Sequence, residues 1–139
     1  MNPILRNILA IVAGIILGSI VNMAIIMLSS SVIPPPEGVN PSDMESLKAS
    51  MHLFEPKHFL MPFLAHAFGT LVGAFVAGLI AINHRLKISL VIGFFFILGG
   101  IINILLLPSP FWFTITDLTL AYIPMAWLGY KLQKSFVNN

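Results

Sequence analysis

Four apolar runs, residues 4–28, 59–82, 88–107 and 111–130, constrain this chain more than any other feature. About 20 residues rising 1.5 Å each cross a hydrocarbon core about 30 Å thick, so apolar stretches of about 18 residues or more are the mark of spanning helices. With 58% of residues hydrophobic and 9% charged, against about a quarter charged in a soluble domain, the sequence reads as an all-α polytopic membrane protein. A single four-helix transmembrane domain over 1–139 is expected, with an outer loop at 29–58 and the lipid bilayer as its main partner. The pattern is helical rather than alternating, which argues against an outer-membrane barrel. The first run is too long for the apolar core of a secretion signal and no clear small-x-small cleavage site follows it, so it is expected to persist as a helix. The absence of cysteine excludes disulfides and thiolate metal sites. Neither a cofactor nor nucleic acid is expected.

The charges order the helices across the membrane. Arg6 precedes the first run, Arg85 and Lys87 lie between the second and third, and Lys131 and Lys134 follow the fourth, which accounts for five of the seven basic residues. The positive-inside bias makes that side cytoplasmic, with both termini inside a cell's inner membrane. All five acidic residues, Glu37, Asp43, Glu45, Glu55 and Asp117, fall on or just below the other side. Trp112 and Tyr130 suit an aromatic belt at the two ends of the fourth run.

Two phrases recur. "GSIVN" at 18–22 resembles "GGIIN" at 99–103, and "AFVAG" at 74–78 resembles "MAWLG" at 125–129. Their offsets of 81 and 51 residues differ by about the extra length of the first outer loop, which suggests two tandem helical hairpins; the plainer reading is chance matching among apolar helices. The alignment sets His66 opposite Asp117 and Asn22 opposite Asn103. Counted from the assumed helix ends, all four lie roughly 6 to 10 Å below the outer boundary, one from each helix. A carboxylate in a spanning helix costs about 2.5 to 3.5 kcal/mol at the bilayer centre, so Asp117 is expected to face protein or water. His66, Gly69, Gly73 and Ala77 share one stripe of the second helix and Phe68, Leu71, Phe75, Leu79 and Ile82 the other; the small stripe is expected to pack and the bulky one to meet lipid. Pro124 frees the backbone carbonyl of Leu120. The layer of Asn22, His66, Asn103 and Asp117 is then either polar glue between helices, at about 0.6 kcal/mol per bond, or a proton, cation or ligand site, because histidine changes charge near neutral pH.

In the outer loop, "IPPPEGVNP" (33–41) cannot be helical. "SDMESLKASMHLF" (42–54) opens with a capping box of Ser42 and Glu45 and repeats Met44, Leu47, Met51 and Phe54 on one face, the signature of a short amphipathic helix on the surface or over the bundle mouth. His52, Glu55 and His58 in "HLFEPKH" are of metal-ligating type, but Pro56 interrupts them and the spacing is not that of two histidines on one helix face. The alternative is an interfacial helix end.

"EPKHFLMPFLAHAFGTLVGAF", with "IPPPEG" before it and "LPSPFW" after it, resembles uncharacterised small four-helix membrane proteins of bacterial genomes, a group that supplies no activity and no catalytic residue. The architecture is also similar to small multidrug transporters, although their glutamate in the first helix has no counterpart here. Three functions follow for testing. The simplest is an accessory or structural component, packed in a larger complex. A second is a homo-oligomeric small transporter or channel subunit using the His66 and Asp117 layer. A third is an enzyme on a lipid-linked substrate with His66, His58 or Asp117 as acid or base, for which no serine, cysteine or paired-carboxylate constellation speaks.

Overall fold

A computed structural model describes residues 1–138. Their regular structure is helical: α1 (Pro3–Val32), α2 (Met44–Ser50), α3 (Leu60–Ile80), α4 (Arg85–Leu106), α5 (Phe111–Leu120) and α6 (Ile123–Val137), with 3-10 turns at Met51–Leu53 and Pro56–Phe59. Three stretches, Pro3–Val32, Pro56–Ile80 and Arg85–Leu106, are long and apolar enough to cross a membrane.

Local chemistry sets the ends. α1 starts where the Asn2 side chain accepts from the Ile4 N–H at 2.9 Å, with Pro3 in the first turn. It runs past the expected end at 28 and stops when Ile33 turns extended, the conformation that a following proline favours. α2 is capped by Asp43, whose carboxylate accepts from the N–H groups of Glu45 and Ser46; the expected Ser42 box does not form, and the helix is shorter than its amphipathic pattern. Pro56 begins the turn that leads into α3.

The fourth apolar run is not one helix. Pro124 carries no N–H and its ring crowds the preceding turn, so the chain breaks at Ala121 and Tyr122, where Tyr122 adopts φ −117° and ψ −79°. A new helix starts at Ile123 and continues beyond 130 to Val137.

α3 is the central element, packed against α1, α6 and α4. Its seam with α1 is built on glycines: a methyl on Gly14 would lie 2.6 Å from the Gly73 carbonyl oxygen, and one on Gly18 would lie 2.6 Å from that of Gly69. The small stripe read from the sequence is therefore a packed face. The bulky stripe is not left wholly to lipid, because α6 covers part of it. Gly129 sits where a methyl would be 2.6 Å from the Leu71 carbonyl oxygen, and Phe75 meets Phe136 edge to face at 5.7 Å. The recurring phrases play unequal roles. Gly18 is locked in the seam, whereas a methyl on its counterpart Gly99 would meet nothing within 4 Å, and the neighbouring Gly100 is the crowded one.

At the end of the bundle that carries the basic residues, Arg6 Nε donates to the Ile80 carbonyl at 2.7 Å and Arg85 Nε to that of Ala81 at 3.0 Å. Both satisfy carbonyls that a helix C-terminus leaves open and set positive charge at the negative end of its dipole. Asn7 bridges to the same turn through Asn83 and the Ile82 N–H, and His84 closes it in the left-handed region at φ 53°.

Candidate functional site

His66 comes from the second turn of α3 and Asp117 from α5, and the two meet. His66 Nδ1 lies 2.9 Å and 3.0 Å from the two carboxylate oxygens of Asp117. A carboxylate only accepts, so Nδ1 carries the hydrogen and donates, leaving Nε2 as the second ring nitrogen. Asp117 is 2% exposed and His66 17%: the carboxylate is sealed behind the imidazole, and the imidazole is the accessible member.

The third member is Tyr122, which sequence reading passed over. Its hydroxyl donates to Asp117 Oδ2 at 2.9 Å, and its ring stacks on His66 with centroids 5.7 Å apart and planes 27° apart. In an unbroken helix, residues five apart point about 140° away from each other. The break before Pro124 turns Tyr122 back toward Asp117. Gly100 makes room, since a methyl there would collide with the phenol. Pro124 was the available signal, because a proline inside a helical pattern marks a kink or a stop in the preceding turn.

Asn22 and Asn103 stand beside the pair rather than bonded to it. Neither carboxamide completes the hydrogen bonding of the pair among the described residues; both instead line a cavity of about 860 Å³ whose wall also includes His66, Asp117 and Tyr122. The second donor to the carboxylate is Tyr122, five residues further along the chain. The cavity extends from this polar cluster between α1 and α4 to the loop segment, where Met44, Leu47, Met51 and Phe54 turn the apolar face of α2 and its following turn into it. α2 makes little backbone contact with the long helices, so its hold on the bundle is through those side chains. The volume falls within the range of about 300–1,000 Å³ typical of small-molecule sites.

The metal-type residues do not converge. The Glu55 N–H donates to His58 Nδ1 at 2.8 Å, and Glu55 pairs with Lys57 at 3.4 Å, while His52 lies in a separate hollow beside Lys48. No cluster of three or more histidine or carboxylate side chains able to hold a metal occurs among the described residues. The interruption at Pro56 supplies the reason: it turns the chain into a 3-10 turn in which His58 serves its own backbone.

Three further buried polar residues escaped the sequence reading. Ser89 Oγ donates to the Ala74 carbonyl at 2.9 Å. Thr70 Oγ1 and both amide atoms of Gln133 are buried without a partner among the described residues.

In comparisons with protein families, with curated proteins and with solved structures, nothing matches this chain.

Proposed function

We propose that the chain is a four-span protein of a cytoplasmic membrane, in which α5 and α6 together make the fourth crossing as a broken helix and both termini face the cytoplasm. In that membrane it holds a small molecule in the cavity above His66, Asp117 and Tyr122, as a binding or transport subunit. The observation that carries this reading is the cavity itself. Polar glue needs only the hydrogen bonds, and such bonds pack closed; here the imidazole of a buried pair borders a space of about 860 Å³. Discontinuous helices beside a cavity are also the usual way for membrane proteins to present polar groups at depth. Passage across the membrane would take more wall than one four-helix chain supplies, so the transport form of the reading entails a homo-oligomer.

An accessory structural role draws its support from the bonds that tie α3 to α5 through the pair. The enzyme reading is weaker: the carboxylate orients the imidazole as a base would require, but no serine or threonine hydroxyl bonds to His66 among the described residues.

The chain lacks cysteine, so single replacements report cleanly. Gly99 borders the cavity and has free space around it. Gly99→Cys should react with a membrane-impermeant thiol reagent added from the loop side. Failure to react, while Ala49→Cys on α2 does, would mean that no watery space reaches that depth.

A further inference from the structure

The turn between α3 and α4 is gripped by two arginines from different helices. Arg6 of α1 and Arg85 of α4 donate through Nε to consecutive carbonyls, those of Ile80 and Ala81. Each contact uses one edge of a planar fork and leaves the Nη hydrogens without a protein acceptor among the described residues. No aspartate or glutamate pairs with either guanidinium among those residues. Glu37, Asp43, Glu45 and Glu55 belong to the loop at the opposite end, and Asp117 to the cavity. Asn7 braces the arrangement, donating to Asn83 Oδ1 at 3.1 Å and accepting from the Ile82 N–H at 3.2 Å. Both arginines are half-buried, so their charges are held against the helix ends. Lys87 joins Arg85 in the first turn of α4, which carries no acid, the reverse of what the positive end of a helix dipole favours.

We propose that Arg6 and Arg85 together bind the phosphodiester of an anionic phospholipid, whatever the cavity at the other end holds. Guanidinium nitrogens match phosphate oxygens two at a time, and forks already fixed on adjacent carbonyls need little further ordering to receive one group. The surroundings select a lipid over a free anion. Leu5 and Leu9 near Arg6, and Ile82 and Leu86 near Arg85, expose apolar side chains; acyl chains attached to the phosphate make contact with them, where inorganic phosphate makes none. The charges select the headgroup. The ammonium of phosphatidylcholine finds no carboxylate at this end and is repelled by Arg6, Arg85 and Lys87. A headgroup of hydroxyls, as in phosphatidylglycerol, brings the negative charge alone. The bound anion also offsets the positive charge gathered at the start of α4.

Phosphatidylglycerol and phosphatidylcholine with the same acyl chains test the assignment. Native mass spectra of the purified full-length protein, released from uncharged detergent, should show phosphatidylglycerol retained about tenfold more tightly. Arg6→Gln and Arg85→Gln should each weaken that preference by about fivefold. Because both arginines also cap α3, Asn83→Asp serves as a second variant: it keeps the acceptor for Asn7 and sets a carboxylate in the turn, with a comparable loss expected. Lys131→Gln with Lys134→Gln removes as much charge from the same end as both arginine variants together and should leave most of the preference in place. Equal retention of the two lipids by the parent would overturn the proposal, as would an unchanged preference in folded Asn83→Asp. A preference that the lysine pair abolishes and the arginine variants spare would also overturn it, in favour of diffuse attraction. If sodium phosphate raises thermal stability in uncharged micelles as much as phosphatidylglycerol does, and fails to do so for Asn83→Asp, the site takes a free anion and the lipid assignment falls.

Discussion

At the scale of single residues, Gly99 and Gly100 show how little of an environment residue type reveals. Adjacent and identical, they differ completely: a methyl at Gly99 would meet nothing within 4 Å, while one at Gly100 would run into the Tyr122 phenol. Gly99→Ala should therefore keep or raise stability, by up to about 1 kcal/mol, and Gly100→Ala should cost about 1–3 kcal/mol as an overpacked site. Denaturation in mixed micelles would separate the two, and equal effects would contradict the packing of Tyr122 against α4. Tyr122→Phe keeps the ring and removes only the donor to Asp117. Hydrogen bonds within membranes average about 0.6 kcal/mol and reach about 1.7, so the same measurement should show a loss below about 2 kcal/mol. A larger loss would mean that this hydroxyl holds Asp117 more strongly than an ordinary hydrogen bond within a membrane. That His66 and Asp117 lie at one depth was legible from helical rise alone. Tyr122 was not, because its place depends on a break in the helix.

At the scale of the helices, α3 is crowded on two sides. Gly69 and Gly73 receive α1, and Ala74 lies at the crossing with α6, where a methyl on Gly129 would be 3.0 Å from the Ala74 Cβ. One small-residue stripe was visible as GxxxG; the second was hidden among bulky neighbours, since alanines pack without advertising a motif. The threonines show the same dependence on context. On α5, Thr116 and Thr119 donate to the carbonyls of Trp112 at 2.8 Å and Ile115 at 2.6 Å, as hydroxyls in apolar helices commonly do. Thr70 on α3 is fully buried and makes no such bond. An unpartnered buried hydroxyl costs about 1–3 kcal/mol, so the nearly isosteric Thr70→Val should stabilise the bundle by about 1 kcal/mol or more. A loss of stability would instead reveal a water or ligand group bonded to that hydroxyl.

At the scale of the whole molecule, the expected orientation puts α2 outside and the end of α6 inside. Ala49→Cys and Ser135→Cys are both exposed positions; in intact cells an impermeant thiol reagent should label the first and not the second. Labelling of Ser135→Cys alone would invert the orientation and carry the cavity to the cytoplasmic side. The sequence by itself determined that the chain is helical and suited to lipid, where its three long helices run, and that an imidazole and a carboxylate share a depth. These follow from local quantities: apolar run length, proline positions and a fixed rise per residue. The break of the fourth run was signalled locally by Pro124; only the tertiary structure decided that Tyr122 joins the pair and that Asn22 and Asn103 border open space beside it. Those outcomes depend on which helix faces meet, and the meeting is set by the crowding of α3 from several sides at once, which no single stretch of sequence contains.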